Sequence, residues 1–133
     1  MLAVLLVGLG GSLGSISRFW VAELAAKYLG RSFPFGILFI NVVGCLLIGV
    51  MAALLLQERF FLNMATHHLR ALVVTGFLGG FTTFSSFSLD TLMLLQKGEW
   101  LKALSYIVLS VVISLIAVAI GFYLTQRCFS PSL

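Results

Sequence analysis

The stretch that decides the fold runs from Thr75 to Ser88 and reads T-G-F-L-G-G-F-T-T-F-S-S-F-S. It lies in a strongly apolar segment, yet it contains adjacent pairs of glycine, threonine and serine. Adjacent glycines cost helix stability, about 1 kcal/mol each relative to alanine, and hydroxyl side chains compete for helical backbone groups. The stretch therefore predicts a helix that breaks near Gly79 to Thr82. At membrane depth such a break is tolerated only where it is buried in protein or lines a polar cavity.

The composition places this break inside a membrane protein. Of 133 residues, 61% are hydrophobic and 9% are charged, whereas soluble domains carry about 25% charged residues. The mean hydropathy is +1.17. The length suits four spans of about 20 residues with short loops, so we predict a single all-α transmembrane domain over residues 1–133. The net charge of +4 is scattered, which argues against nucleic-acid binding.

The apolar segments predict the positions of the four helices. They run from about Leu2 to Leu29, Pro34 to Leu56, Leu69 to Leu95 and Trp100 to Thr125, with a second loop from about Gln57 to His68. The first helix contains the small-residue pattern Gly10-x-x-x-Gly14, which favours close helix packing. It also carries Arg18, which is either an interfacial anchor or a functional residue.

Few polar side chains lie within the spans, and they are the candidate functional residues. Asn41 is either an inter-helix hydrogen-bonding group or a pore-lining donor. Tyr106, Ser110 and Ser114 recur every four residues and so line one helical face, although serine hydroxyls also bond back to their own helix. Asp90 lies near the end of the third span, where an aqueous vestibule would solvate it. An acid within a span is a candidate functional residue.

The two cysteines, Cys45 and Cys128, are too few and too far apart for a disulfide framework or a metal site. We interpret them as a small packing residue and an incidental thiol. We expect no enzymatic activity.

The positive charges give almost no orientation signal. The side shared by the N-terminus, the second loop and the C-terminus carries Arg59, Arg70 and Arg127, whereas the opposite side carries Lys27, Arg31, Lys97 and Lys102. A singly oriented protein has a clear excess of Lys and Arg on the cytoplasmic side. We therefore predict that the chain inserts both ways up and that opposite subunits pair about a two-fold axis in the membrane plane.

The candidate lining favours a small anion. Hydroxyl and amide groups donate hydrogen bonds, and the edges of aromatic rings are electropositive; the donors are Asn41, Thr82, Thr83, Ser85, Ser110 and Ser114. Such a lining suits an anion that exchanges its water shell for donors. Carbonyls freed at Gly79 and Thr82 suit a hard cation instead. The residues alone predict a small dual-topology ion pathway, without naming the ion.

A family resemblance adds the ion. Residues 79–87, G-G-F-T-T-F-S-S-F, resemble the G-G-x-T-T-F-S-T-F signature of the CrcB/Fluc family of fluoride channels. Pro34-Phe35-Gly36 through Asn41 and Gly44 is similar to the family's P-x-G-T-L-x-x-N-x-x-G element, and Gly10-Gly11-x-x-Gly14-x-x-x-Arg18 matches its first-helix pattern. The resemblance covers the whole chain. Ile37 stands where the family usually has threonine, which removes one hydroxyl.

The resemblance implies an antiparallel homodimer in the bacterial inner membrane, in contact with lipid, that exports fluoride passively through two pores. It also implies a central structural Na⁺ held by main-chain carbonyls, for which Gly79 and Thr82 are the matching positions. The implied pore residues are Asn41, Phe84, Phe87, Tyr106, Ser110 and Ser114, and Arg18 matches the family's first-helix arginine.

Two other classes stay open at this point. A proton-coupled exporter of the small multidrug type also has four helices and dual topology, but it needs a membrane-embedded carboxylate. The first span has none before Glu23, and Asp90 lies near a span end, so the pattern argues against this class. A small structural subunit of a larger membrane complex is the third alternative.

Overall fold

The computed structural model describes residues 1–56 and 64–129, and the backbone alone for residues 64–66. Four of its helices are long and apolar enough to cross a membrane, namely Leu2–Leu29, Phe35–Leu56, His67–Gln96 and Trp100–Phe129. The four predicted spans are confirmed, and the chain is a multi-pass membrane protein. The first part of the predicted second loop from Gln57, including Arg59, lies outside the described residues.

The chain order is simple. The elements are α1 (Leu2–Leu29), α2 (Phe35–Leu56), α3 (Met64–Leu69), a π-helical segment (Arg70–Leu78), α4 (Gly79–Phe81), α5 (Phe84–Gln96) and α6 (Trp100–Phe129). Pro34 immediately precedes α2, where a missing N–H costs no helical hydrogen bond. Gly30 ends α1 with φ 82°, and Gly98 has φ 74° in the turn between α5 and α6. Both conformations favour glycine.

The third span changes its winding twice. Its first half is π-helical for nine residues, Arg70–Leu78, a rare geometry that is frequent at functional sites. The chain then makes the short helix α4 and becomes extended at Thr82 and Thr83, with ψ 155° and 121°. The predicted break is therefore present, at the C-terminal end of the predicted range from Gly79 to Thr82. The π-helical winding before it was not predicted.

Glycines bring α1 into backbone contact with the third span. A Cβ atom on Gly10 would overlap the carbonyl oxygen of Leu72, and one on Gly14 would overlap that of Phe77. A Cβ atom on Gly80, in turn, would meet the backbone of Gly11. The small-residue pattern of α1 is thus a packing surface, as close helix contacts in bilayers require.

A second pair of glycines joins α2 to α6. A side chain on Gly49 would overlap the backbone of Val118, and one on Gly121 would overlap the backbone of Leu46. The molecule therefore consists of two tightly packed pairs, α1 with the first half of the third span and α2 with α6. The residues before the break, in α4, pack on α1, whereas those after it, in α5, pack on α6. The break therefore lies where the two pairs meet.

Candidate functional site

The break in the third span is held by one side chain of α2. The Asn41 amide Nδ2 donates to the carbonyl oxygen of Thr83 at 3.1 Å, and Asn41 Oδ1 accepts from the Thr83 backbone N–H at 2.9 Å. These bonds satisfy two backbone groups that would cost about 1–3 kcal/mol each if buried without partners. Of the two alternatives for Asn41, the inter-helix hydrogen bond is present in the structure, and its role as a pore-lining donor stays a prediction.

The threonine hydroxyls at the break also stabilise the backbone. Thr82 Oγ1 donates to the carbonyl oxygen of Leu78 at 2.9 Å. Thr83 Oγ1 caps α5, because it accepts from the Ser86 backbone N–H at 3.2 Å, and it lies 3.0 Å from the Ser85 hydroxyl. The buried Thr83 hydroxyl is therefore already engaged within the protein.

Carbonyl groups leave the helical ladder at this point, those of Gly79 and Thr82 among them. In a continuous helix the Thr83 N–H would donate to Gly79, but here it donates to Asn41. Likewise the Ser86 N–H would donate to Thr82, but it donates to the Thr83 hydroxyl. Within the described residues, the carbonyl oxygens of Gly79 and Thr82 thus lose their helical donors. These are the positions that the resemblance implies for a cation.

A groove of about 520 Å³ runs beside the break, between α2, α5 and α6. It brings together most of the residues that the sequence indicated. The predicted residues that line it are Asn41, Gly79, Thr82, Thr83, Phe84, Phe87, Ser110 and Ser114.

Two serines of α6 present unpaired hydroxyls in this groove. The Oγ atoms of Ser110 and Ser114 are buried, and neither has a hydrogen-bond partner within the described part of the chain. Other serines in the helices bond back to their own backbone, as Ser88 does to Phe84 and Ser105 does to Leu101. Buried polar atoms are usually paired, so the two hydroxyls are candidate donors to a ligand in the groove that their residues line.

Phe84 and Phe87 form an aromatic wall on α5. Because the helix resumes at Phe84, the two rings share a face, with centroids 5.5 Å apart. Phe87 also packs on Tyr106, 5.2 Å between ring centroids. Phe84 is 78% exposed, so one side of the groove wall lies on the outer surface of the chain.

Tyr106 is a core residue and does not line the groove. It is fully buried, and its ring packs on Phe33 as well as on Phe87. Its hydroxyl donates to Asp90 Oδ2 at 3.5 Å. The predicted polar face of α6 therefore divides into two serines at the groove and a tyrosine that contacts the groove only through Phe87.

Asp90 lies at a separate cavity, as the predicted vestibule requires. This cavity of about 270 Å³ is also lined by Glu23, Arg31 and Lys97, and Arg31 pairs with Glu23 at 3.5 Å. Arg18 lies in the middle of α1 and is half-buried. It is absent from the walls of both the groove and this cavity.

Sequence reasoning missed one residue of the groove. Cys45 was interpreted as a packing residue, but its side chain lines the same wall as Asn41. The available signal was its spacing, because residues four apart on a helix share a face. In the described ranges 1–56 and 64–129, no cluster of His, Cys, Asp or Glu could hold a metal ion.

Four spans, a third span broken at Thr82 and Thr83, and a groove beside the break with two unpaired hydroxyls define a small α-helical membrane protein. The family model described as CrcB-like protein, Camphor Resistance (CrcB), matches residues 5–122. The chain belongs to this family, which confirms the resemblance seen in its motifs.

Three relatives, each named Fluoride-specific ion channel FluC, are similar over nearly their whole length. The protein from Francisella philomiragia subsp. philomiragia is 55% identical over 122 residues, 92% of this chain and 93% of the relative. The one from Francisella tularensis subsp. mediasiatica is 51% identical over 128 residues, 96% of this chain and 98% of the relative. The one from Rhizobium etli is 48% identical over 121 residues, 91% and 94% respectively.

Proposed function

We propose that this chain forms a fluoride-selective ion channel that exports fluoride passively from the cytoplasm. The observation that carries the proposal is the pair of buried, unpartnered hydroxyls of Ser110 and Ser114 in a groove walled by Phe84 and Phe87. Hydroxyl donors replace the water shell of a small anion, and ring edges offer it positive potential. The name shared by the relatives agrees with this chemistry.

We place the start of the route at the cavity beside Asp90, which also holds Lys97 and the Arg31–Glu23 ion pair. Fluoride then sheds water onto Ser110, Ser114 and the Asn41 amide. Asn41 can take part because Nδ2 carries two N–H groups, of which Thr83 takes one. The ion finally passes the ring edges of α5, and the bore excludes larger anions by size.

We further propose that the channel is an antiparallel homodimer in the bacterial inner membrane, with two pores. The groove is open on one side, and Phe84, on its wall, is 78% exposed, so a partner surface would complete the bore. In the sequence the cations are also nearly balanced, with three (Arg59, Arg70 and Arg127) on one side and four (Lys27, Arg31, Lys97 and Lys102) on the other. Both features suit two subunits of opposite orientation.

A structural Na⁺ at the dimer centre is the cofactor that we propose. The carbonyl oxygens of Gly79 and Thr82 have lost their helical donors to Asn41 and Thr83, and neutral carbonyl oxygens suit a hard monovalent cation. A two-fold partner doubles the number of such oxygens. When bound, such an ion would supply a positive charge that the carbonyl oxygens of Gly79 and Thr82 would hold. Replacing Na⁺ by N-methylglucamine should lower the unfolding temperature of the purified dimer, and an unchanged temperature would refute the site.

Fluoride-electrode efflux from proteoliposomes, with chloride as the control anion, tests the function. We expect fluoride efflux and no chloride efflux from the wild-type protein. Phe84→Ile and Phe87→Ile should each abolish the efflux, whereas Phe19→Ile, an exposed ring on α1 outside the groove, should not. Absence of efflux from folded wild-type protein, or wild-type rates in both groove variants, would contradict the proposal.

A substitution of Asp90 distinguishes a passive channel from a proton-coupled exporter. The bond of Asp90 to Tyr106 holds a carboxyl group near the end of the third span, whereas an exporter needs a membrane-embedded carboxylate. We expect fluoride to flow without a proton gradient in both wild type and Asp90→Asn. Transport that requires a proton gradient and is lost in Asp90→Asn would favour the exporter.

A further inference from the structure

We propose that Cys45 is a modification site within the anion pathway, at which small uncharged thiol-reactive molecules close the channel. The inference rests on the proposed function, because it assigns the groove as the route of the ion. Cys45 is a free, half-buried thiol in the second span, and nothing in the family resemblance assigns it a role.

The position of Cys45 is fixed by its neighbours on α2. Asn41, one turn earlier on the same face, is bonded twice to Thr83, which sets the rotation of α2 about its axis. Gly44 lies so close to the break that a Cβ atom there would overlap the Thr82 methyl group, which sets the distance between helix and break. Since both are fixed, Cys45 is held at the groove wall, where its side chain is half-buried.

A second observation indicates that this groove receives a ligand. Ser110 lies in the same groove and is 6% exposed, yet its hydroxyl has no partner within the described residues. The Cys45 thiol therefore lines the same groove as a hydroxyl group that has no hydrogen-bond acceptor within the described residues. A group attached to Cys45 would occupy the space that an ion needs beside Ser110 and Ser114.

The chemistry that fits is thiol–disulfide formation with a neutral reagent. With methyl methanethiosulfonate, the S–H bond of Cys45 breaks and its sulfur bonds to the S–CH₃ group. Methanesulfinate leaves and the thiol proton passes to the buffer, so no external oxidant is needed. A neutral reagent is required because a charged one is costly to bring to membrane depth. Dithiothreitol reverses the step by thiol–disulfide exchange.

The chain supplies its own control in Cys128. This second free thiol is exposed near the C-terminal end of α6 and lies outside the groove. Its modification leaves the pathway open. Any effect of the reagent on flux can therefore be assigned by comparing variants that lack one thiol or the other.

The test combines efflux from proteoliposomes with intact-mass spectrometry on wild type, Cys45→Ala and Cys128→Ser. After the reagent, we expect fluoride efflux to fall at least about tenfold in wild type and Cys128→Ser, which is a rise of about 1.4 kcal/mol in the barrier. Cys45→Ala should keep its own untreated rate, and dithiothreitol should restore the others. Full modification of Cys45 with unchanged efflux, or modification confined to Cys128, would overturn the inference.

The outcomes separate this inference from the proposed function. If untreated wild-type protein passes no fluoride, the proposed function fails, and the mass measurement alone then tests the site. A Cys45 adduct in folded Cys128→Ser supports a reactive thiol in the groove. The absence of an adduct there, while Cys128 reacts in Cys45→Ala, overturns it.

Discussion

Asn41 and Thr83 exchange two hydrogen bonds, so that one side-chain amide replaces the helical partners of one backbone residue. The amide offers a donor and an acceptor in one rigid plane, which matches the N–H and C=O of an extended residue. This pairing satisfies both backbone groups of Thr83 at a break that lies at membrane depth, where an unpaired backbone group is costly. It also ties the break to α2.

Asn41→Leu should therefore destabilise the protein strongly. Leucine is similar in size but leaves the N–H and C=O of Thr83 without partners, at a cost of about 1–3 kcal/mol for each group. Thermal unfolding in detergent, followed by the fluorescence of Trp20 and Trp100, measures the loss. Ser88→Ala removes an exposed hydroxyl on α5 that bonds within its own helix and is the matched control. An unfolding temperature for Asn41→Leu equal to that of the control would refute the argument.

Thr83→Ala and Thr83→Ser should differ because only serine keeps the cap of α5. The Thr83 hydroxyl accepts from the Ser86 N–H, and loss of such a cap costs about 1 kcal/mol. We expect Thr83→Ala to lower the unfolding temperature. Thr83→Ser should lower it much less. Equal losses in both variants would mean that the methyl group, and not the hydroxyl, stabilises the helix start.

Gly14→Ala and Gly8→Ala should have opposite effects on one helix. A methyl group at Gly14 overlaps the carbonyl group of Phe77, whereas at Gly8 it meets nothing within 4 Å. Overpacking costs about 1–3 kcal/mol, but alanine in place of an unhindered helical glycine gains up to about 1 kcal/mol. Size-exclusion profiles and unfolding temperatures provide the comparison. Two variants of equal stability would argue against the close contact between α1 and the third span.

Gly44→Ala should destabilise the protein, and Thr82→Ser should restore part of the loss. The new methyl group overlaps the Thr82 methyl group, which serine lacks, whereas the serine hydroxyl can still donate to Leu78 as that of Thr82 does. A double-mutant cycle measures this coupling directly. Additive effects of the two substitutions would show that Gly44 and Thr82 are not in contact.

Ser110→Ala should lower fluoride flux without lowering stability. Its hydroxyl is buried and unpartnered within the described residues, so its removal costs the fold no hydrogen bond. A hydrogen bond to an ion is worth about 1.5–3 kcal/mol, which corresponds to about a ten- to hundredfold fall in efflux rate. Ser105→Ala, on the same helix but bonded to Leu101, is the control. A parallel loss of stability and flux in Ser110→Ala would indicate a structural role instead.

The sequence predicted the spans because a bilayer demands long apolar helices, and the structure places their ends within a few residues of the expected ones. It predicted the break because adjacent glycines and hydroxyl residues weaken a helix. It did not predict the two hydrogen bonds between Asn41 and Thr83, since that pairing depends on how α2 lies against the third span. For the same reason Tyr106 was placed with Ser110 and Ser114 although it is buried on Phe33.

The groove could be predicted only in part. Spacing placed Ser110 and Ser114 on one face of α6, but it does not show that neither hydroxyl bonds back to its own helix, because that depends on the rotamer that each side chain adopts. Sequence reasoning does not identify Cys45 as a groove residue, because a free cysteine within an apolar span packs like a small apolar side chain. The π-helical winding of Arg70–Leu78, which packs against α1, has no signal in local propensity.

That winding has a consequence for how the chain tolerates changes in length. A π-helical segment holds more residues per turn than an α-helix, so Arg70–Leu78 contains surplus chain. Deletion of one residue there can be absorbed by a return to α-helical winding, with Gly76 and Gly80 still against α1. A deletion in α5 before Phe87 cannot be absorbed in this way, because α5 is already α-helical. It would turn Phe87 away from the groove. The third span therefore combines a half that can lose a residue with a half that cannot.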